Sequence, residues 1–188
     1  MIFNCTKKTK ERFNINYWEE YKDEIEEKEI IDIIEKEKED SFFNWGLKYF
    51  AFDRRKCIQL IHFETKFNLY LFDIKVADMS ELGNIIAYYL LELYKTDQEV
   101  TELLEDYFKE SQLCVYTKLT NKSAISTLNG NEWQFALGGE RFYEYIDNNI
   151  LKTLDINKDA NWNNLVTINK KYIVPGKEFK RALIERYK

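Results

Sequence analysis

The sequence predicts an α+β domain: an antiparallel sheet, built as a meander, covered by segregated helices, with a long acidic helix near the N-terminus. Three observations predict it. Apolar residues alternate with period two from Phe42 to Val76. After that stretch they recur at helical spacing. Six Gly and one Pro in 188 residues leave no long flexible linker. Thirteen Phe, thirteen Tyr and four Trp supply enough ring surface for one well-buried core and argue against intrinsic disorder.

Taken in order, residues 2–6 (IFNCT) read as a short strand, followed by a polar turn or helix through KKTKERF. Residues 17–40, YWEEYKDEIEEKEIIDIIEKEKED, read as one acidic helix running to about 39, with an apolar stripe of Trp18, Tyr21, Ile25, Ile30, Ile31, Ile33 and Ile34. The stripe is narrow at first and broadens after Glu29. SFFNWGLKYFAF, CIQLIHF and FNLYLFDIKV are three strands separated by the polar turns DRRK and ETK. A helix follows in ADMSELGNIIAYYLLELYK, with Ser80 as candidate cap, and a second over 97–110 is capped by Asp97.

QLCVYTKL (112–119) is a further strand, and Thr120 is expected to cap a helix in NKSAISTLNGNEWQFAL. Gly138-Gly139 breaks the chain before a helical ERFYEYIDNNILKTLDI. An Asn-rich loop at 157–164 then leads to a strand, LVTINKKYIV, ending at Pro175-Gly176, and to a basic helix, KEFKRALIERYK. The organisation is one domain, 1–188, with 17–40 as an acidic helical insert and 140–188 as a C-terminal extension.

Few residues invite a catalytic reading. Cys5, Cys57 and Cys114 are odd in number and widely spaced, which reads as reduced thiols in the cytosol. His62 is the one histidine, so neither a metal nor a cofactor is expected. Cys57 and His62 lie on one strand at odd and even positions and so face opposite sides of the sheet. Asp and Glu number 33, too many for any pair to be diagnostic. No phosphate-loop, dinucleotide, zinc-protease or serine-elbow motif occurs. Gly138-Gly139-Glu140 opening a helix has an ordinary reading as a helix break, beside a possible anion contact. The start has no apolar signal core, and no apolar run reaches ~18–20 residues, so no membrane association is expected.

Charge is the strongest signal. Residues 17–40 hold twelve Asp/Glu against four Lys, a net −8, whereas the chain totals −5; the remainder is therefore about +3. Glu19, Glu20, Asp23, Glu24, Glu26, Glu27, Asp32, Glu35 and Glu39 are the candidate partner-binding residues of a solvated face whose self-repulsion a basic protein surface would relieve. Arg54, Arg55 and Lys56 at a hairpin tip, and 169–188 with seven Lys/Arg against two Glu, suit phosphate contacts. Their plainer reading is a solvated turn and an amphipathic helix, and overall acidity opposes direct nucleic-acid binding.

Three islands carry a resemblance: C-T-K-K (5–8); W-G-L-K-Y-F-A-F-D-R-R-K-C (45–57), continued by T-K-F (65–67) and K-V-A-D-M (75–79); and T-N-K-S-A-I-S-T-L-N (120–129). Over about residues 1–137 the chain resembles an uncharacterised family of bacterial and phage proteins defined as a domain of unknown function. The resemblance implies a small cytosolic protein without an assigned activity. It marks Trp45, Arg54, Arg55, Thr120, Asn121, Ser123 and Asn129 as candidate ligand-binding residues. Thr120 and Asn121 also suit helix capping, and Trp45 suits a core.

The expected function is a non-enzymatic protein-interaction module, in its narrowest form a phage or mobile-element inhibitor of a nucleic-acid-handling host defence protein. The alternative is a nucleic-acid or nucleotide-binding protein or enzyme using Arg54, Arg55 and the 120–129 island. The oligomeric state is left open.

Overall fold

The computed structural model describes residues 1–131, 140–168 and 170–188. Its centre is a five-stranded sheet in the order β4-β3-β2-β1-β5. The strands are β1 (Ile2–Cys5), β2 (Asn44–Phe52), β3 (Arg55–His62), β4 (Asn68–Leu71) and β5 (Val115–Lys118). The antiparallel meander read from the period-two alternation is β2-β3-β4. The N-terminal strand lies beside it, parallel to β2 through Ile2↔Asn44 and parallel to β5 through Ile2↔Val115.

The β2–β3 connection has two residues, since Phe52 pairs with Arg55. Asp53 and Arg54 both take left-handed backbone (φ 45° and 63°), the geometry whose twist matches a two-residue hairpin.

Alternation sorts the strand residues onto two faces. Phe3, Trp45, Leu47, Ile58, Leu60 and Leu69 enter the main core. There they meet α4 (Leu82–Tyr94), α5 (Gln98–Glu110) and α9 (Pro175–Tyr187) through Leu90, Tyr107 and Phe179. The opposite face carries three smaller clusters. Ile2 and Val115 pack with Trp18 and Ile34. Ile61 packs with Ala124 and Leu128 of α6 (Lys122–Asn131). Phe50, Cys57 and Tyr70 pack with Phe142 of α7 (Glu140–Tyr143) and Ile156 of α8 (Thr153–Trp162). Cys57 and His62 do face opposite sides: Cys57 joins this last cluster, while His62 lies against Trp45 and Phe179.

Several local expectations are corrected. The acidic segment is not one helix but α2 (Trp18–Tyr21), a single 3-10 turn over Lys22–Glu24 and α3 (Lys28–Glu39), following α1 (Lys7–Phe13). The apolar stripe explains the break. After Trp18, Tyr21 and Ile25 the next positions on that face are Lys28 and Glu29, so a straight helix would expose the isoleucines beyond. Extended backbone at Ile25 and Glu27 resets the phase and folds α3 back against α2.

Ser80 does not cap α4; its hydroxyl donates to Ala77 O within a 3-10 turn over Val76–Glu81. Asp97 does cap α5, accepting from Val100 N. Asn121, not Thr120, caps α6, accepting from Ala124 N at 2.9 Å.

The segment read as a helix over 140–156 contains a hairpin, β6 (Ile146–Asp147) with β7 (Ile150–Leu151), turned by left-handed Asn148 and Asn149. The single strand expected over LVTINKKYIV is instead two, β8 (Val166–Ile168) paired antiparallel with β9 (Lys171–Ile173), and Pro175 is the first residue of α9 rather than a strand terminus. Gly138-Gly139 lies outside the described residues.

The Asn-rich stretch expected as a loop is the end of α8. Asn157 and Asn161, four apart, present their amides to the edge strand β4. Asn157 accepts from Tyr70 N at 2.6 Å and donates to Tyr70 O at 2.9 Å. Asn161 repeats this at Asn68, with 2.8 and 2.6 Å. The two side chains replace a neighbouring strand and leave that part of the edge without free backbone groups. No helix among the described residues is long and apolar enough to cross a membrane.

Candidate functional site

The acidic segment is anchored at its two apolar ends. Trp18 and Ile34 are each about 1–2% exposed and pack on Ile2 and Val115. The Trp18 indole N–H donates to Glu35 Oε1 at 2.8 Å. In a continuous helix those residues would stand about 25 Å apart at ~1.5 Å per residue, so this bond is a direct consequence of the break. It also holds the Glu35 carboxyl below its ordinary range, with help from Lys38. Lys38 bridges α2 and α3, pairing Glu19 at 3.0 Å and Glu35 at 3.1 Å. Lys10 pairs Glu20, and the same carboxylate accepts from Tyr17 N.

Beneath α3, Glu37 meets the Met1 ammonium at 3.1 Å, and burial pushes its carboxyl up against the pull of that charge. A cavity of about 240 Å³ opens beside it, between α3 and α9, with Ile33, Asp40, Glu110 and Arg186 on its walls. Arg186 stacks over Phe43 and pairs with Asp40 at 2.9 Å and Glu110 at 3.1 Å, tying the acidic segment to the C-terminal helix.

Energetics favour this seating. Burying Trp18 and Ile34 contributes roughly 1.5–3 kcal/mol apiece, whereas each like-charge neighbour pair on a helix costs about 0.2–0.5 kcal/mol. Anchoring wins, and the remaining acids stay in solvent. Asp23, Glu24, Glu26, Glu27, Glu29, Asp32 and Glu39 are exposed and form no ion pair with a described residue. Residues 23–32 thus hold six carboxylates against Lys28 alone. Of the nine acids singled out from sequence, Asp23, Glu24, Glu26, Glu27, Asp32 and Glu39 are free, whereas Glu19, Glu20 and Glu35 are consumed by the fold.

The second set of candidates does not converge. Trp45 is fully buried and donates its indole N–H to Tyr107 Oη at 3.0 Å. Arg54 stands at the hairpin tip and Arg55 pairs with Asp73 at 2.5 Å. Asn121 is occupied as a cap, Ser123 O accepts from Thr127, and Asn129 Oδ1 accepts from Lys48 at 2.8 Å. Leu119, which leads into this island by way of Thr120, is bonded to Cys5 at the level of Leu47. From Leu47 to the hairpin end at Phe52 is about 17 Å at ~3.3 Å per residue, so the arginines and the island share no pocket.

Burial pushes the Cys57 thiol up to about 11 and the His62 imidazole down to about 4, which leaves the one as a thiol and the other neutral near pH 7. Among the described residues no group of three or more His, Cys, Asp or Glu side chains is arranged to hold a metal ion.

No curated protein and no solved structure matches the chain. A family model does, over residues 2–178. That span runs well past the 1–137 over which the sequence islands carry the resemblance, so α8 lies inside the matched region together with the acidic segment. The chain belongs to the family described as Domain of unknown function (DUF6933).

Proposed function

We propose that the protein is a non-enzymatic interaction module that docks a basic protein surface onto the acidic ridge of residues 23–32. The observation that carries this reading is the division of labour within the segment. Its apolar residues and Glu20 fix it to the body, Glu19 and Glu35 hold its two helices together, and six carboxylates project outside any ion pair with a described residue. A ridge held in place loses little entropy when a partner binds, and a basic partner would relieve its self-repulsion. In the narrower form, the partner is a nucleic-acid-handling protein, and the ridge occupies the groove where phosphates otherwise lie. A phage or mobile-element inhibitor of a host defence protein would work this way.

The test is affinity capture from a candidate host lysate with the parent protein and the triple variant Asp23→Lys/Glu26→Lys/Glu27→Lys. These side chains form no ion pair with a described residue and repel one another, so the variant should melt no lower than the parent and somewhat higher as that repulsion is removed. A basic protein retained by the parent at ~50 mM salt, released near ~0.5 M and absent from the variant supports the reading. Equal capture by both proteins overturns it.

A further inference from the structure

The seven basic residues of 169–188 are not equally spent. Lys180 pairs with Asp97 at 2.6 Å and Glu99 at 3.4 Å, and Arg181, Arg186 and Lys188 are likewise paired. Lys177 is not, and neither is Lys158 of α8: both are exposed and form no ion pair with a described residue. The two come together on the wall of one cavity of about 320 Å³, set between the ends of α4, α8 and α9.

Lys180 lines the same space, so three lysines face it against Asp97 on its wall and Glu99, which reaches Lys180 at 3.4 Å. In a chain of net charge −5, a concave site with a local +1 and two lysines outside any ion pair with a described residue is a departure from its surroundings. Two aromatic rings stand on its remaining wall beside Leu93 and Thr96. Trp162 and Tyr94 lie with ring centroids 5.2 Å apart, and the Tyr94 hydroxyl donates to Gly176 O at 2.6 Å. Gly176 sets the close approach, because a Cβ there would stand 2.6 Å from the Trp162 ring. The volume falls at the lower end of the range for small organic ligands and is several times what a bare phosphate needs.

We infer that this cavity is a binding site for a small phosphorylated ligand carrying a planar ring, of mononucleotide class, with Lys158 and Lys177 as the phosphate contacts and Trp162 and Tyr94 as the apolar wall. The site is separate from the acidic ridge and does not depend on it. It also differs from the phosphate site expected from the sequence, which rested on Arg54 and Arg55.

The experiment is a titration of AMP, adenosine and inorganic phosphate against thermal stability in a chloride buffer, with the parent chain and with Lys158→Gln/Lys177→Gln. Both lysines are exposed, so the double variant should melt where the parent does in the absence of ligand. The expected result is a saturable rise in melting temperature with AMP, none with adenosine, and an apparent Kd at least ~10-fold weaker in the variant. No shift with AMP up to ~10 mM, or an equal shift in the variant, overturns the proposal. Inorganic phosphate binding as tightly as AMP overturns the assignment to a ring-bearing ligand. A single-stranded oligonucleotide that binds far more tightly than AMP, with a steep salt dependence, would mean a polyanion track instead of a pocket and would overturn it as well.

Discussion

Lowering the pH should destabilise this protein through its one histidine. His62 is fully buried, and its ring is committed to a single tautomer. Nε2 lies 2.7 Å from Phe42 O, which can only accept, so Nε2 carries the proton. Nδ1 accepts from Thr65 N and lies 2.9 Å from Thr65 Oγ1. A second proton on Nδ1 would displace the Thr65 N–H and find only the Thr65 hydroxyl as acceptor, in a buried site with no carboxylate bonded to the ring. Burial accordingly pushes the imidazole down to about 4 from an ordinary 6.5.

The unfolded chain then binds a proton that the native chain refuses. Stability from this group is complete above pH 6.5 and is lost as pH falls from there towards 4. At ~1.36 kcal/mol per unit, the loss is about 2 kcal/mol by pH 5 and about 3 kcal/mol by pH 4. Urea unfolding of the parent and of His62→Gln, which keeps a donor for Phe42 O, isolates the effect, because both share every carboxylate. The difference between the two stabilities should shrink by about 2 kcal/mol between pH 7.5 and pH 5. As the sole histidine, His62 also gives one ring resonance, whose titration midpoint should lie near 4. Parallel pH profiles, or a midpoint near 6.5, would refute the argument.

Three substitutions probe other parts of the fold by the same unfolding measurement. Asn157→Leu leaves Tyr70 N–H and C=O buried without partners and should cost about 2–4 kcal/mol; a loss under ~0.5 kcal/mol would mean that the amide pairing with β4 is dispensable. Arg54→Gly relieves a left-handed non-glycine residue in the β2–β3 turn and should stabilise by about 0.5–1 kcal/mol, with destabilisation as the contrary result. Gly176→Ala forces a methyl against Trp162 and should cost about 1–3 kcal/mol, an outcome that unchanged stability would contradict.

The meander was legible because three alternating runs are separated by polar turns, and α4, α5 and α9 because their apolar positions recur at helical spacing. The failures run in opposite directions. Asn148-Asn149 reads in the sequence as part of a helix and is a hairpin turn, whereas Asn157–Asn161 reads as a loop and is a helix face. Only the spacing of four between Asn157 and Asn161 distinguishes the latter, and without the position of β4 nothing in the sequence says what two amides on one face would meet.

In the acidic segment the phase slip after Ile25 was visible as loose spacing, but charge density masked it as a single helix. The candidate ligand residues were chosen from islands of sequence, and the tertiary fold spends Trp45 on the core and Asn121 on a cap. Lys158 and Lys177 are nineteen positions apart on different helices, and no local pattern joins them.

The placement of β1 inside the sheet, between β2 and β5, has a consequence for biosynthesis. Ile2–Cys5 leaves the ribosome ahead of every other strand, yet its second neighbour, β5, begins 113 residues later, at Val115. At ~5–20 residues per second this apolar strand waits on the order of 6–20 s for its outer partner. The meander, all of it within Asn44–Leu71, can assemble in that interval and offer β2 as a template. The nascent chain meanwhile carries its most highly charged stretch directly between β1 and β2, where mutual repulsion among carboxylates keeps neighbouring unfinished chains apart. The ridge that a partner would grip in the finished molecule thus acts earlier as a solubility guard for the strand it later helps to bury.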